Sequence, residues 1–228
     1  MAEFVNPLGK IRGKLGNVIN YVGANGKNYC RGVSAKVRSC QEPQKRRAVG
    51  FGTVSERGRW LMPAIRLGFP GDNGYPKGFR GFTSVNAVSG VCVEKIDPLK
   101  PVNRRKKAPA EFRGIIDYEE LFVAAGQLRT PVVEAEVDTG NRKVIFHHAE
   151  VLVESVDCFL DDAIYGVILY NPRRVCRVVE LGKRGEVFDI TVDFEKNVDV
   201  EEFIVYVFAR RADGKDASNS VCLREPTV

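Results

Sequence analysis

A chain of 228 residues that is 44% hydrophobic can bury a substantial core without disulfide or metal staples, as one large domain or two small ones. The opening residues are interrupted by Pro7, Gly9, Lys10, Arg12, Gly13, Lys14 and Gly16, so they lack the apolar run of a secretory signal, and no segment reaches the roughly 18–20 apolar residues of a membrane span. The formal charge of +6 hides a division: residues 1–110 hold 21 Lys and Arg against 6 Asp and Glu, and residues 111–228 hold 14 against 23.

The halves therefore carry formal charges of +15 and −9. Such a split points to a basic half that engages an anionic partner, or to complementary surfaces that meet within or between chains. The expected domain organisation is a basic region over 1–110 and an acidic domain over 111–228. The expected setting is cytoplasmic or particle-associated, with no membrane partner.

In chain order, Val18–Val22 and Asn28–Val33 flank Asn25-Gly26, a dipeptide suited to the positive φ angles of a tight turn, which predicts a β-hairpin. The glycines at 9, 13 and 16 match neither spacing of a phosphate-cradling loop. From Glu42 to Leu67, Phe51, Val54, Leu61 and Ile65 recur at helical intervals, while Gly50, Gly52, Gly58 and Pro63 weaken a long helix. This predicts a broken helix packing through Phe51, Trp60, Leu61 and Ile65. The glycine-rich stretch 68–82 reads as a loop whose Phe69, Tyr75, Phe79 and Phe82 either stack on bases or fold back to cap a core. A short helix is expected around Thr83–Ser89, and Arg104, Arg105, Lys106 and Lys107 lie in a proline-flanked linker.

Beyond the linker the chain becomes acidic and strand-like. Apolar, β-branched runs recur at Val132–Val137, Lys143–His147, Val151–Val156, Ile164–Tyr170, Val175–Leu181, Val187–Val192, Phe203–Phe208 and Ser220–Leu223, separated by Asp, Asn, Gly and Pro. Eight short strands at this spacing, with alternation at Val187–Val192 and Phe203–Phe208, predict a mainly β protein. Its C-terminal part, from about Gly126, is expected to form an antiparallel immunoglobulin- or fibronectin-like β-sandwich, preceded by a basic region with a hairpin and a helix.

Six cysteines without a Cys-x-x-Cys pair argue against zinc, and reduced thiols are expected. His147 and His148 are adjacent, so on a strand they point to opposite faces and cannot share a site. The carboxylate pairs Glu119-Glu120, Asp161-Asp162 and Glu201-Glu202 read as solvated surface. No nucleophile, base and orienting group can be assembled from these residues, so neither catalysis, a cofactor, a metal nor a small-molecule substrate is expected.

Three stretches resemble a family of bacterial proteins of unknown function. They are Gly9-Lys-Ile-Arg-Gly-Lys-Leu-Gly-Asn-Val-Ile-Asn-Tyr21, the helix residues Glu42, Gln44, Arg47 and Phe51, and Ala212-Asp-Gly-Lys-Asp-Ala-Ser-Asn-Ser-Val221; Val167-Ile-Leu-Tyr-Asn-Pro172 is similar to the family's central strand and turn. Cys40 and Pro43 depart from the helix pattern, and residues 68–122 match poorly. The resemblance implies an architecture of N-terminal hairpin, basic helix and C-terminal sandwich, and no activity.

Two functions are thus expected, in order. The first is a non-enzymatic structural or protein-interaction module, working through a protein partner or self-assembly, as in the subunit of a virion or another large particle. The alternative is nucleic-acid binding by the basic half. The polyanion- or partner-binding candidates are Lys10, Arg12, Lys14, Lys27, Arg31, Lys36, Arg38, Lys45, Arg46 and Arg47 with the linker cations Arg104 to Lys107, and Tyr75 and Phe79 are the candidates for stacking.

Overall fold

A computed structural model describes residues 9–33, 41–72, 74–103, 110–195 and 198–225, together with the backbone of 2–4. Strand accounts for 37% of the chain and helix for 19%, so the protein is mainly β, built from antiparallel sheets. Contacts divide it into two compact units: residues 1–40 with 103–108, and residues 41–102 with 109–228. This grouping differs from a division at 110/111, because the helices after residue 41 pack onto the strands of the acidic half.

The first unit is a four-stranded antiparallel sheet of β1 (Ala2–Phe4), β2 (Gly13–Leu15), β3 (Val18–Val22) and β4 (Asn28–Gly32), in the order β1-β4-β3-β2. The connection between β3 and β4 closes on Asn25-Gly26. The Gly26 φ of +76° is a conformation that L side chains resist, and the Asn25 side chain accepts from the Lys27 amide at 3.1 Å, a local bond that favours a turn. No described side chain of this unit is buried.

The second unit begins with α1 (Glu42–Gly58), α2 (Met62–Gly68) and α3 (Phe79–Asn86), followed by the two-stranded ladder of β5 (Val91–Lys95) and β6 (Phe112–Ile116). The helical region is broken between Gly58 and Met62, as expected. Its packing face differs from the expectation: Phe51 is 52% exposed, and α1 buries Gly50, Val54 and Gly58 instead. A Cβ on Gly58 would come within 2.7 Å of the Phe79 ring and 2.9 Å of the Phe82 ring. The buried face of α1 is therefore a groove of small residues that receives α3, a pattern that counting apolar residues cannot reveal. The third helix starts at Phe79 rather than Thr83, with Gly78 at φ +61° as its N-terminal flank.

The remaining strands are β7 (Glu134–Asp138), β8 (Lys143–His148), β9 (Ala163–Tyr170), β10 (Val175–Lys183), β11 (Phe188–Asp193), β12 (Phe203–Arg210) and β13 (Val221–Arg224). They form a four-stranded sheet, β10-β9-β12-β13, and a three-stranded sheet, β11-β8-β7. One core, with Val144, Phe146, Ile168, Val192, Phe203, Val205 and Val207, lies between the two sheets. Another, with Ile65, Phe69, Phe82, Val167, Leu169, Ile204, Tyr206 and Phe208, joins the other face of the four-stranded sheet to the helices. Seven residues of β12, Phe203 to Ala209, are consequently buried without a break. The expected alternation there fails because the helical layer covers the face that a two-layer sandwich leaves wet. In β11 the alternation holds.

Polar side chains fasten the segments that lack a ladder. The buried Asn86 amide donates to the Phe122 carbonyl and accepts from the Phe122 N–H, both at 2.8 Å, imitating one rung of a β-pair. Ser220 Oγ accepts from the Val123 amide at 3.0 Å and Ser218 Oγ from the Ala209 amide at 2.9 Å. The Ser-Asn-Ser stretch thus pins residues 121–128 beside the central sheet.

Candidate functional site

The first unit gathers exposed cations beside a pair of rings. Lys10, Arg12, Lys14, Lys27 and Arg31 are all exposed. Lys14 of β2 faces Ile19 of β3, which faces Arg31 of β4. Two residues further along β3, Tyr21 faces Tyr29. Directly paired residues in antiparallel strands point to the same side, so one sheet face carries Lys14, Ile19, Arg31, Tyr21 and Tyr29. The two rings lie near parallel with centroids 5.8 Å apart. Tyr29 is held further by its hydroxyl, which accepts from the Asn25 amide at 2.6 Å.

Other expected binding residues have separate tasks. Lys45 pairs with Glu111 at 2.7 Å. Arg46 pairs with Glu42 at 3.0 Å, donates to the Val93 carbonyl at 2.7 Å and lies 4.9 Å above the Phe112 ring. Both therefore tie α1 to the β5–β6 ladder, while Arg47 is exposed on the same helix. Tyr75 packs against the core beneath the helices and Phe79 covers Gly58, so neither belongs to the unit that holds the exposed cations of β2 to β4. Lys36, Arg38 and the linker cations Arg104, Arg105, Lys106 and Lys107 lie outside the described residues.

Sequence patterns gave no sign of a buried charged cluster around Arg184. Its side chain is 1% exposed and Nε donates to Asp162 Oδ2 at 3.0 Å, with Asp162 fully buried; Nη2 donates to the Arg129 carbonyl. Burial pushes the Asp162 carboxyl above its ordinary range, opposed by the Phe159 amide and by Arg184. The Arg184 carbonyl meets His148 Nε2 at 3.2 Å and accepts from Val151 N–H at 2.9 Å, while His148 Nδ1 lies 2.8 Å from the Val132 carbonyl. His148 is buried, whereas His147 faces outward beside Asp189 at 2.6 Å, so the two rings do lie on opposite faces.

An apolar segment emerges from this node. Val151–Val156, expected as a strand, joins no sheet; Val151 bonds to Arg184 and Ser155 forms an isolated bridge with Cys158. Leu152, Val153 and Val156 are 76%, 75% and 97% exposed, and Val132 and Val187, whose neighbouring backbone converges on His148, are exposed as well. Elsewhere, a cavity of about 250 Å³ opens beside Tyr170, Phe194 and Phe203. Arg177 at its edge is already placed over the Phe194 ring, 5.3 Å from the centroid, and donates to the Asp193 carbonyl at 3.0 Å.

Burial pushes Cys176 up to about 11 and Cys222 up to about 12, the reverse of what activates a cysteine nucleophile. Among the described residues the cysteines are unpaired, no group of three or more His, Cys, Asp and Glu could hold a metal ion, and no helix is long and apolar enough to cross a membrane. No family model, curated protein or solved structure matches the chain.

Proposed function

We propose that the protein is a non-enzymatic structural or protein-interaction module. Its C-terminal strands form an immunoglobulin- or fibronectin-like sandwich that associates with a second copy of the chain, as a subunit of a larger cytoplasmic or particle-borne assembly such as a virion does. The observation that supports this is the exposed run Leu152, Val153 and Val156. A β-branched segment outside every ladder is suited to self-complementary pairing across a two-fold axis, and contiguous exposed apolar surface marks interfaces. Full burial of one such side chain contributes about 1.5–3 kcal/mol. Three from each of two copies contribute about 9–18 kcal/mol, against an association cost of about 4–15 kcal/mol.

The test is light scattering on a concentration series of the full chain and of Leu152→Ser/Val153→Ser/Val156→Ser. The wild type gains mass with concentration and the triple variant stays monomeric; a wild type that is monomeric throughout refutes the reading. The Tyr21–Tyr29 pair among the exposed cations of the first unit favours a second reading, in which the basic region engages nucleic acid.

A further inference from the structure

We infer that the β2–β4 face of the first unit binds single-stranded nucleic acid, with Tyr21 and Tyr29 stacking on bases and Lys14 and Arg31 holding the phosphates. This rests on the nucleic-acid reading of the basic region and gives it a site and a preferred strand state.

Charge is the first support. Residues 1–40 and 103–108 carry 11 Lys and Arg against one acidic residue, Glu3, a formal +10. Such a unit attracts a polyanion, and Lys10, Arg12, Lys14 and Arg31 stand exposed.

The rings supply the second support, because charge alone does not distinguish a duplex from a single strand. Aromatic pairs usually fill a core, yet among the described residues of this unit no side chain is buried, and Tyr21 and Tyr29 are each half-exposed. The orientation of Tyr29 is set in advance: its ring lies so close over Gly23 that a Cβ there would sit 2.6 Å from it, and Asn25 holds its hydroxyl. A fixed ring loses little entropy when a base stacks on it. The strand register puts a row of Lys14, Ile19 and Arg31 beside the row of Tyr21 and Tyr29 on one face. A sugar–phosphate backbone following the cations would lay its bases over the rings, the combination by which sequence-tolerant single-strand binders work. A duplex keeps its bases stacked on one another and offers the rings nothing.

The experiment is fluorescence anisotropy of the full chain with labelled oligothymidylate and with its duplex on oligoadenylate, titrated with salt. The single strand is expected to bind more tightly than the duplex. Tyr21→Leu/Tyr29→Leu should weaken it by at least about tenfold, from the loss of base–aromatic stacking, with the salt slope unchanged. Tyr21→Phe, which keeps the ring and leaves the Asn25–Tyr29 bond intact, should keep the affinity. Lys14→Gln/Arg31→Gln should lower the log–log salt slope by about 1.4, at ~0.7 per phosphate on a single strand. Equal binding of duplex and single strand, or wild-type affinity in the leucine variant, overturns the site while leaving the basic reading standing. Absence of any binding at low salt overturns both. If the leucine variant loses its far-ultraviolet circular dichroism, the decision passes to the phenylalanine and glutamine variants, which keep ring and side-chain length.

Discussion

Replacing Arg184 with methionine removes the charge from the buried pair while conserving most of the side chain's volume. Both partners are shielded from water, at 1% and 0% exposure, so the change strands the Asp162 carboxylate without its cation. Breaking a buried pair from one side costs about 3–5 kcal/mol. At about 2–4 °C per kcal/mol for a unit of this size, the midpoint should fall by roughly 6–20 °C. Thermal unfolding followed by the fluorescence of Trp60, the chain's only tryptophan, reports the change, and Trp60 packs against the core beneath the helices. The double variant Arg184→Met/Asp162→Leu should recover most of the loss, because a well-packed apolar pair avoids the desolvation penalty.

A pH series adds the sign. Burial raises the folded-state pKa of Asp162 above its ordinary value, so the folded protein binds this proton more tightly than the unfolded chain. The group's contribution is fully present below about the unfolded value and is lost as pH rises through the folded one. Arg184→Met should therefore recover stability as the solution is acidified toward pH ~4, more steeply than the wild type does. A methionine variant within about 1 kcal/mol of wild type at neutral pH would refute the argument.

Phe51→Ser should cost under about 1 kcal/mol, since its ring stands in solvent, whereas Phe82→Ala, fully buried, should cost about 3–5 kcal/mol; thermal denaturation of the two variants decides between this packing and one in which Phe51 belongs to the core. A thiol reagent at neutral pH should label exposed Cys92 quickly and buried Cys158, with half-buried Cys176 and Cys222, only slowly. Raising the pH toward the values of about 11 and 12 at Cys176 and Cys222 should accelerate those two, and equal native-state rates for all would contradict their burial.

The strands of the acidic half were readable because β-branched runs and turn residues are local signals: Lys143–His147, Ile164–Tyr170, Val175–Leu181 and Phe203–Phe208 all lie within strands. Val151–Val156 carries the same composition but joins no sheet, since propensity describes a segment and pairing requires a partner edge. Phe203–Phe208 was misjudged for a related reason. Its burial on both faces is set by helices more than a hundred residues earlier in the chain, and nothing local announces them. Arg184 sits in a Gly-Lys-Arg-Gly stretch that has the composition of a solvated turn, and only the tertiary placement of Asp162 and the Arg129 carbonyl makes it an interior residue. The ring pair of the first unit escaped notice because Tyr21 and Tyr29 are eight positions apart, and their adjacency depends on the register of β3 against β4.

The claim that the exposed segment around Val153 is an apolar interface is tested most directly by sedimentation velocity of the full chain at low and high salt. Apolar association is maintained or strengthened as salt rises, whereas charge-driven association weakens. The expected result is a concentration-dependent increase in mass that survives high salt and disappears in Leu152→Ser/Val153→Ser/Val156→Ser. A chain that stays monomeric at every concentration, or whose assemblies dissolve as salt is added, would contradict it.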